Sequence, residues 1–240
     1  MKGKKESHAS FFGRYYIFSY LCIPKKKMIM QDSAESTAYR TALKEKILTT
    51  AMHLFVSQGI KSVKMDDIAN HLSISKRTLY EIYSNKEDLL FESCRRGQKI
   101  KQQQMVEALK DSKNVMDILL KVYRIKVEEF RTIHPSFFSD LEKYPRLIEY
   151  FEKMNVEMRE QQLAFIRRGI EEGFFRSDVN YPLVMSILDA SHRYVMKNHI
   201  YDHYSMEEVF HNSIFFSLRG FCTLKGVEVL DRFMDEEYKI

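Results

Sequence analysis

The sequence predicts an all-α protein: an N-terminal three-helix unit containing a helix-turn-helix, followed by a larger helical unit. Three observations carry this. The 240 residues include only 8 Gly and 4 Pro, and no stretch alternates apolar and polar residues between turn signals. From about Tyr39 onward, apolar residues recur at helical rather than strand spacing. The stretch MDDIANHLSISKRTLYEIYSNKEDLL, Met65–Leu90, reads as two short helices joined by three residues, then the start of a long third.

Residues 1–30 stand apart. An apolar, aromatic run, FFGRYYIFSYLCIP, lies between lysine clusters and contains Arg14. It is shorter than the roughly 20 residues needed to cross a bilayer, and no small-residue cleavage site follows it. The expectation is a disordered or poorly packed extension over 1–38, with Met28 or Met30 as alternative starts. A membrane-surface or signal role is the alternative. These 30 residues hold seven Lys or Arg against one Glu, a net of +6, so the whole-chain +5 leaves −1 for residues 31–240. Overall basicity is therefore weak evidence for a nucleic-acid partner, and local charge matters more. Three scattered cysteines, Cys22, Cys94 and Cys222, point to a reducing compartment without a disulfide framework.

Tyr39–Ser57 is the first helix, with Ile47, Ala51, Leu54 and Phe55 on its inner face and Gly59 as its stop. In Met65–Leu72, Ile68, Ala69 and Leu72 share one face. Ser73, Ile74 and Ser75 form the connector, and Ser75 is placed to cap Lys76–Tyr83, where Leu79 and Tyr83 point inward. Asn85, with Glu87 and Asp88 behind it, starts a helix to about Lys110, the acidic pair suiting its positive end. Further helices are expected over Val115–Ile133, Pro135–Lys143, Arg146–Glu172, Pro182–His199 and Met206–Leu224, with a last short one over Val227–Met234.

A helix ending in Gly59, then DDIA, a Ser-containing turn, TLY and NKEDLL resembles the TetR family of bacterial transcription regulators, over Ile47 to Leu90. Two later phrases, GIEEGFFRSDVN (Gly169–Asn180) and LRGFCTLKGVEVL (Leu218–Leu230), are also similar to that family's helix-connecting loop and chain end. The chain departs from the pattern at three places. Lys64 stands where a capping Thr is usual, Ser73 where a turn Gly is usual, and Arg77 where a small residue is usual. Lysine cannot cap as a hydroxyl does, so Ser62 or water is expected to serve the second helix.

The resemblance implies a cytoplasmic homodimer, each subunit pairing a DNA-binding domain (39–86) with a helical effector-binding and dimerisation domain (87–240). It also implies a near-palindromic double-stranded operator, repression, and release by a small molecule. The expected DNA contacts are Ser75, Lys76, Arg77, Thr78, Tyr80, Tyr83, Lys86 and Lys64, since cations and hydroxyls stand where phosphates and base edges would be met. Close approach of two helix axes is expected along Ser186 and Ala190, and along Ser213, Ser217 and Gly220, a stripe of small residues at i, i+4, i+7. Tyr123, Phe130, Phe137, Tyr150, Met154, Met158, Met185 and Tyr194 are the candidate lining of a pocket for an apolar or aromatic effector, adaptable Met among aromatics.

No cofactor is implied, and no nucleophile–base arrangement or glycine-rich phosphate loop occurs, so an enzyme is not expected. The alternative is a helical metal-binding protein or enzyme using His192, His199 and His203, the last two at i, i+4 with Asp202 beside them.

Overall fold

The computed structural model describes residues 35–237, with side chains from Tyr39 onward and excepting that of Asn155. The expectations for residues 1–30 lie outside the described residues. Among the described residues ten α-helices follow in chain order: α1 (Glu35–Gln58), α2 (Met65–His71), α3 (Lys76–Ile82), α4 (Lys86–Ala108), α5 (Val115–Thr132), α6 (Pro135–Leu141), α7 (Pro145–Glu171), α8 (Tyr181–Lys197), α9 (Met206–Phe221) and α10 (Leu224–Glu237). A single 3-10 turn, Ile200–Asp202, separates α8 from α9. Among the described residues there is no strand, only an isolated antiparallel bridge between Phe175 and Cys222.

The chain forms two compact units. The first, here the reading unit, takes the described residues through Gln104 together with Thr132–Leu147; the second takes Met105–Arg131 and the described residues from Ile148 onward. The division does not fall at 86/87. Most of α4 and all of α6 belong with the helix-turn-helix.

In the reading unit, Ile47, Ala51, Leu54 and Phe55 of α1 are buried with Ile68 and Ala69 of α2 and Leu79 of α3. Leu79 is fully enclosed, and burial of a leucine of this kind stabilises by about 1.5–3 kcal/mol. Helix α6 docks on α1: the His134 N–H donates to the Val56 carbonyl at 2.8 Å. Asp140 clamps the loop after α1, accepting from the Lys61 N–H at 2.6 Å and from Lys143 Nζ at 2.8 Å. Gly59, at φ +83°, lets the loop pass α6; a Cβ there would stand 3.0 Å from Ser136 Cβ.

In the C-terminal unit, Tyr123 of α5 packs against Phe210 and Phe215 of α9 and Phe233 of α10. The segments Gly169–Asn180 and Leu218–Leu230 are partners of each other. Arg176 N–H donates to the Phe221 carbonyl, and Thr223 N–H to the Phe174 carbonyl, both at 2.9 Å. Gly169 fits this closure because Phe175 leaves no room: a Cβ at 169 would lie 2.0 Å from the ring. Helix α9 therefore stops at Phe221, short of the expected Leu224, because Cys222 turns extended to make the bridge.

Candidate nucleic-acid interface

The local chemistry that builds the helix-turn-helix differs from expectation at one cap. Lys64 stands at the N-cap of α2 and makes no side-chain cap bond; instead its N–H is taken by Asp67 Oδ2 at 2.7 Å. Ser62 does not serve α2. Its hydroxyl donates to the Gln58 and Gly59 carbonyls, closing the end of α1. The turn closes as a Schellman motif, Ile74 N–H to the Ala69 carbonyl and Ser73 N–H to the Asn70 carbonyl, both at 3.0 Å. Ser73 holds φ +53°. A non-glycine residue in that left-handed region costs roughly 1–2 kcal/mol. Ser75 then caps α3, accepting from Thr78 N–H at 3.0 Å, while the Ser75 and Thr78 hydroxyls bond at 2.8 Å. Asn85 caps α4 through Asp88 N–H at 2.9 Å.

This scaffold leaves the opposite face of α3 in solvent. The Arg77 side chain is 89% exposed and Tyr80 is 45% exposed, whereas Leu79 between them is buried. Both cations hold surface carboxylates: Lys76 pairs with Asp66, and Arg77 Nε with Glu81 Oε1 at 2.8 Å. Each bond raises the pKa of its cation, so both stay charged. Exposed pairs contribute little to stability, so exchanging the carboxylate for a phosphate or a guanine edge is inexpensive.

Two expected contacts, Tyr83 and Lys86, stand differently. Tyr83 is 9% exposed and belongs to the core. Burial pushes its phenol up to about 12, the neighbouring Glu92 and Glu45 carboxylates adding to the rise and Arg95 opposing it. Lys86 is half-buried and folds back: Nζ lies 3.5 Å from the Lys61 carbonyl and 5.8 Å from the centre of the Phe55 ring. Burial lowers its pKa. Lys64 is exposed, with its side chain left out of the cap.

Residues 47–92 match the family described as bacterial regulatory proteins, tetR family. The HTH-type transcriptional repressor KstR2 of Rhodococcus jostii (strain RHA1) is 24% identical over 166 residues, 65% of this chain and 78% of that protein. KstR2 of Mycobacterium tuberculosis, titled a ketosteroid transcriptional regulator, superposes with a TM-score of 0.52 at 19% identity, over 75% of this chain and 95% of its own. This chain therefore carries the TetR-family helix-turn-helix segment over residues 47–92. A putative transcriptional regulator from Saccharomonospora viridis, solved with choline, shares the fold at a TM-score of 0.59 and 18% identity, covering 76% of this chain and 99% of that one. The chain is accordingly a transcriptional regulator with a helix-turn-helix at its N-terminal side, and the KstR2 proteins it is similar to are repressors.

The residues expected to line an effector pocket are not brought together. Phe137 lies on α6 in the reading unit, edge-on to Phe138. Tyr194 is 63% exposed and stands on the surface of α8. Tyr123, Phe130, Met158 and Met185 are buried in the C-terminal unit, while Tyr150 and Met154 are half-buried. Of these, Phe130 reaches a small cleft shared with His192, Val195, Met196, Met206, Val209 and Phe210.

The small-residue stripes are placed at or near the surface. Ser186, Ala190 and Gly220 are exposed, and Ser213 and Ser217 are half-buried. Ser186 and Ser217 turn back onto their own helices, Ser186 Oγ–H donating to the Pro182 carbonyl and Ser217 Oγ–H to that of Ser213. Sequence reasoning missed their neighbours. Leu183, Ile187 and Tyr194 fall at i, i+4 and i+11 on α8 and are exposed, as is Phe216 of α9 at 85%. The spacing was visible, but α8 also carries a second apolar stripe through Met185 and Met196, and only that one is buried.

The histidine alternative fails on geometry. Helix α8 ends at Lys197, and His199 takes φ +50° with Nδ1 bonded to the Tyr201 hydroxyl at 2.5 Å. His199 and His203 therefore share no helix face, and His192 is buried one or two turns earlier. Among the described residues no three His, Cys, Asp or Glu side chains could hold a metal ion, and no helix is long and apolar enough to cross a membrane.

Proposed function

We propose that this regulator binds a near-palindromic operator as a homodimer and represses, letting go when an apolar effector enters its C-terminal unit. The observation that carries the DNA reading is α3, whose Lys76, Arg77 and Tyr80 point into solvent from a helix pinned by buried Leu79. Arg77 is the base reader, because a guanidinium can meet two guanine acceptors at once. Ser75, Thr78, Lys64 and Lys86 take backbone positions, the last by swinging its ammonium out from the Lys61 carbonyl.

The second copy is suggested by the apolar side chains that α8 and α9 leave in water. Leu183, Ile187, Tyr194 and Phe216 flank the small residues Ala190, Ser213, Ser217 and Gly220, a combination of grip and close approach. A twofold pair would present its reading helices to half-sites about 34–36 Å apart, or a multiple of that. Helix α4 leaves the reading unit, and its last residues belong to the other, so it is one of three covalent crossings, with those at 131/132 and 147/148, by which an effector could shift the reading helices. A coupling of about 1–3 kcal/mol is sufficient.

Selection of bound fragments from genomic DNA, followed by footprinting, tests the operator. Protection of two inverted half-sites is expected; one unpaired site, or none, contradicts it. Sedimentation at micromolar concentration tests the pair: the wild type should be dimeric, and the double variant Ile187→Glu, Phe216→Glu monomeric with its two-half-site binding lost. Strictly single wild-type subunits would sink this reading.

A further inference from the structure

We infer that Glu81 is a positioning residue for sequence discrimination: its carboxylate offsets the charge that Arg77 would offer to any phosphate, and leaves the guanidinium fork for a guanine edge. The inference deepens the proposed reading of DNA by α3 and rests on it.

Arg77, Tyr80 and Glu81 fall at i, i+3 and i+4 on α3, so they share one face of the helix, and all three are exposed. A helix that brings Arg77 and Tyr80 to a duplex therefore brings Glu81 with them. A carboxylate left alone there would face a polyanion. It is not alone: Glu81 Oε1 accepts from Arg77 Nε at 2.8 Å. That bond uses only one edge of the guanidinium. Among the described residues neither terminal nitrogen of Arg77 has a hydrogen-bond partner. These two nitrogens form the fork that can meet guanine O6 and N7 together.

The two kinds of DNA contact respond differently to this pairing. Attraction to phosphate is a matter of charge and is the same on every sequence, and a guanidinium bonded to a carboxylate is close to neutral as a phosphate meets it. Recognition of guanine is a matter of donor geometry, and a held Nε leaves the donors of the fork in place. The carboxylate therefore takes more from binding to an arbitrary duplex than from binding to the operator, a gain in specificity made by penalising the wrong partner. An exposed pair is easily broken, so the effect is graded rather than absolute.

The test uses full-length wild type, Glu81→Gln, Arg77→Ala and the double variant, each titrated by fluorescence anisotropy with the selected operator and with a scrambled duplex of equal length over a series of salt concentrations. Glu81→Gln should gain more on the scrambled duplex than on the operator, so that the preference falls roughly two- to fivefold, the range that exposed ion pairs reach. Its salt slope on the scrambled duplex should steepen by about one phosphate contact. In the Arg77→Ala background the same substitution should bring no further loss of preference. Equal gains on both duplexes overturn the inference, since removal of any carboxylate near DNA would give them. An unchanged preference or an unchanged slope in Glu81→Gln also overturns it. So does an equal loss in the Arg77→Ala background, which would make Glu81 a base contact in its own right. Arg77→Ala keeping full preference takes down the reading by α3 and this inference together, whereas preference lost in Arg77→Ala and intact in Glu81→Gln removes the inference alone.

Discussion

The reading unit and the C-terminal unit treat charge in opposite ways. On α3, Lys76 and Arg77 are exposed and hold carboxylates on the same surface, partners that can be exchanged. In the C-terminal unit, Lys126 is buried in α5 with Glu129 as an ion-pair partner, and the Tyr123 hydroxyl bonds His211 Nδ1 at 2.6 Å. Burial lowers the pKa of Lys126 and of His211. A buried pair of this kind is costly to separate, and the Tyr123–His211 bond ties α5 to α9. The comparison teaches a division of labour. The surface of α3 holds its two cations on partners that can be exchanged, whereas this part of the C-terminal core uses its polar groups to hold a shape.

That contrast can be broken from the side of shape first. Gly169→Ala pushes a methyl into the Phe175 ring, which is itself hemmed by Phe165 and Phe221. A loss of about 3 kcal/mol is expected, the upper end for overpacking, read as a drop in the urea midpoint. Unchanged stability would mean that the closure between residues 169–175 and 221–226 is loose.

Asp140→Ala tests the clamp in the reading unit. It removes both acceptor bonds and leaves the Lys61 N–H without its partner, at a cost of about 2 kcal/mol. The pH dependence has a definite sign. Burial alone would raise the Asp140 pKa, but the Lys143 ammonium and the Lys61 N–H outweigh it and hold the carboxyl below its ordinary value. The contribution is therefore present above the unfolded-state pKa, near 4, and lost as pH falls through the lower folded value. The wild-type and variant stability curves should converge in that acid range.

Ser73→Gly is the smallest change and has the opposite sign. Relief of the left-handed strain, offset by the greater freedom of glycine in the unfolded chain, should stabilise by up to about 1 kcal/mol. A destabilised variant would show that the serine side chain contributes something the φ angle does not reveal.

What the sequence made legible was local. Most helix ends fell within two residues of expectation because periodicity, Ser75, Asn85 and the glycines are read over a single turn. Ser62 was misassigned because a hydroxyl between two helices can close the first or open the second, and only the backbone decides. The docking of α6, which carries Phe137 into the reading unit, depends on Lys61 meeting Asp140, 79 residues away. The pairing of Phe174 with Thr223 is likewise a contact across 49 residues. The candidate DNA contacts were read from one motif, and only the buried ones, Tyr83 in full and Lys86 in part, needed coordinates to place them. The exposed apolar stripe of α8 stayed hidden because two such stripes share one helix and periodicity cannot say which faces the core.

The most direct test of α3 as the reader is fluorescence anisotropy on the selected operator and a scrambled duplex of equal length, with wild type, Arg77→Ala and Lys86→Ala at fixed salt. The wild type should prefer the operator. Arg77→Ala should lose roughly five- to 100-fold of that preference, whereas Lys86→Ala should weaken both duplexes alike. Arg77→Ala retaining full preference for the operator would contradict the assignment of base reading to this helix.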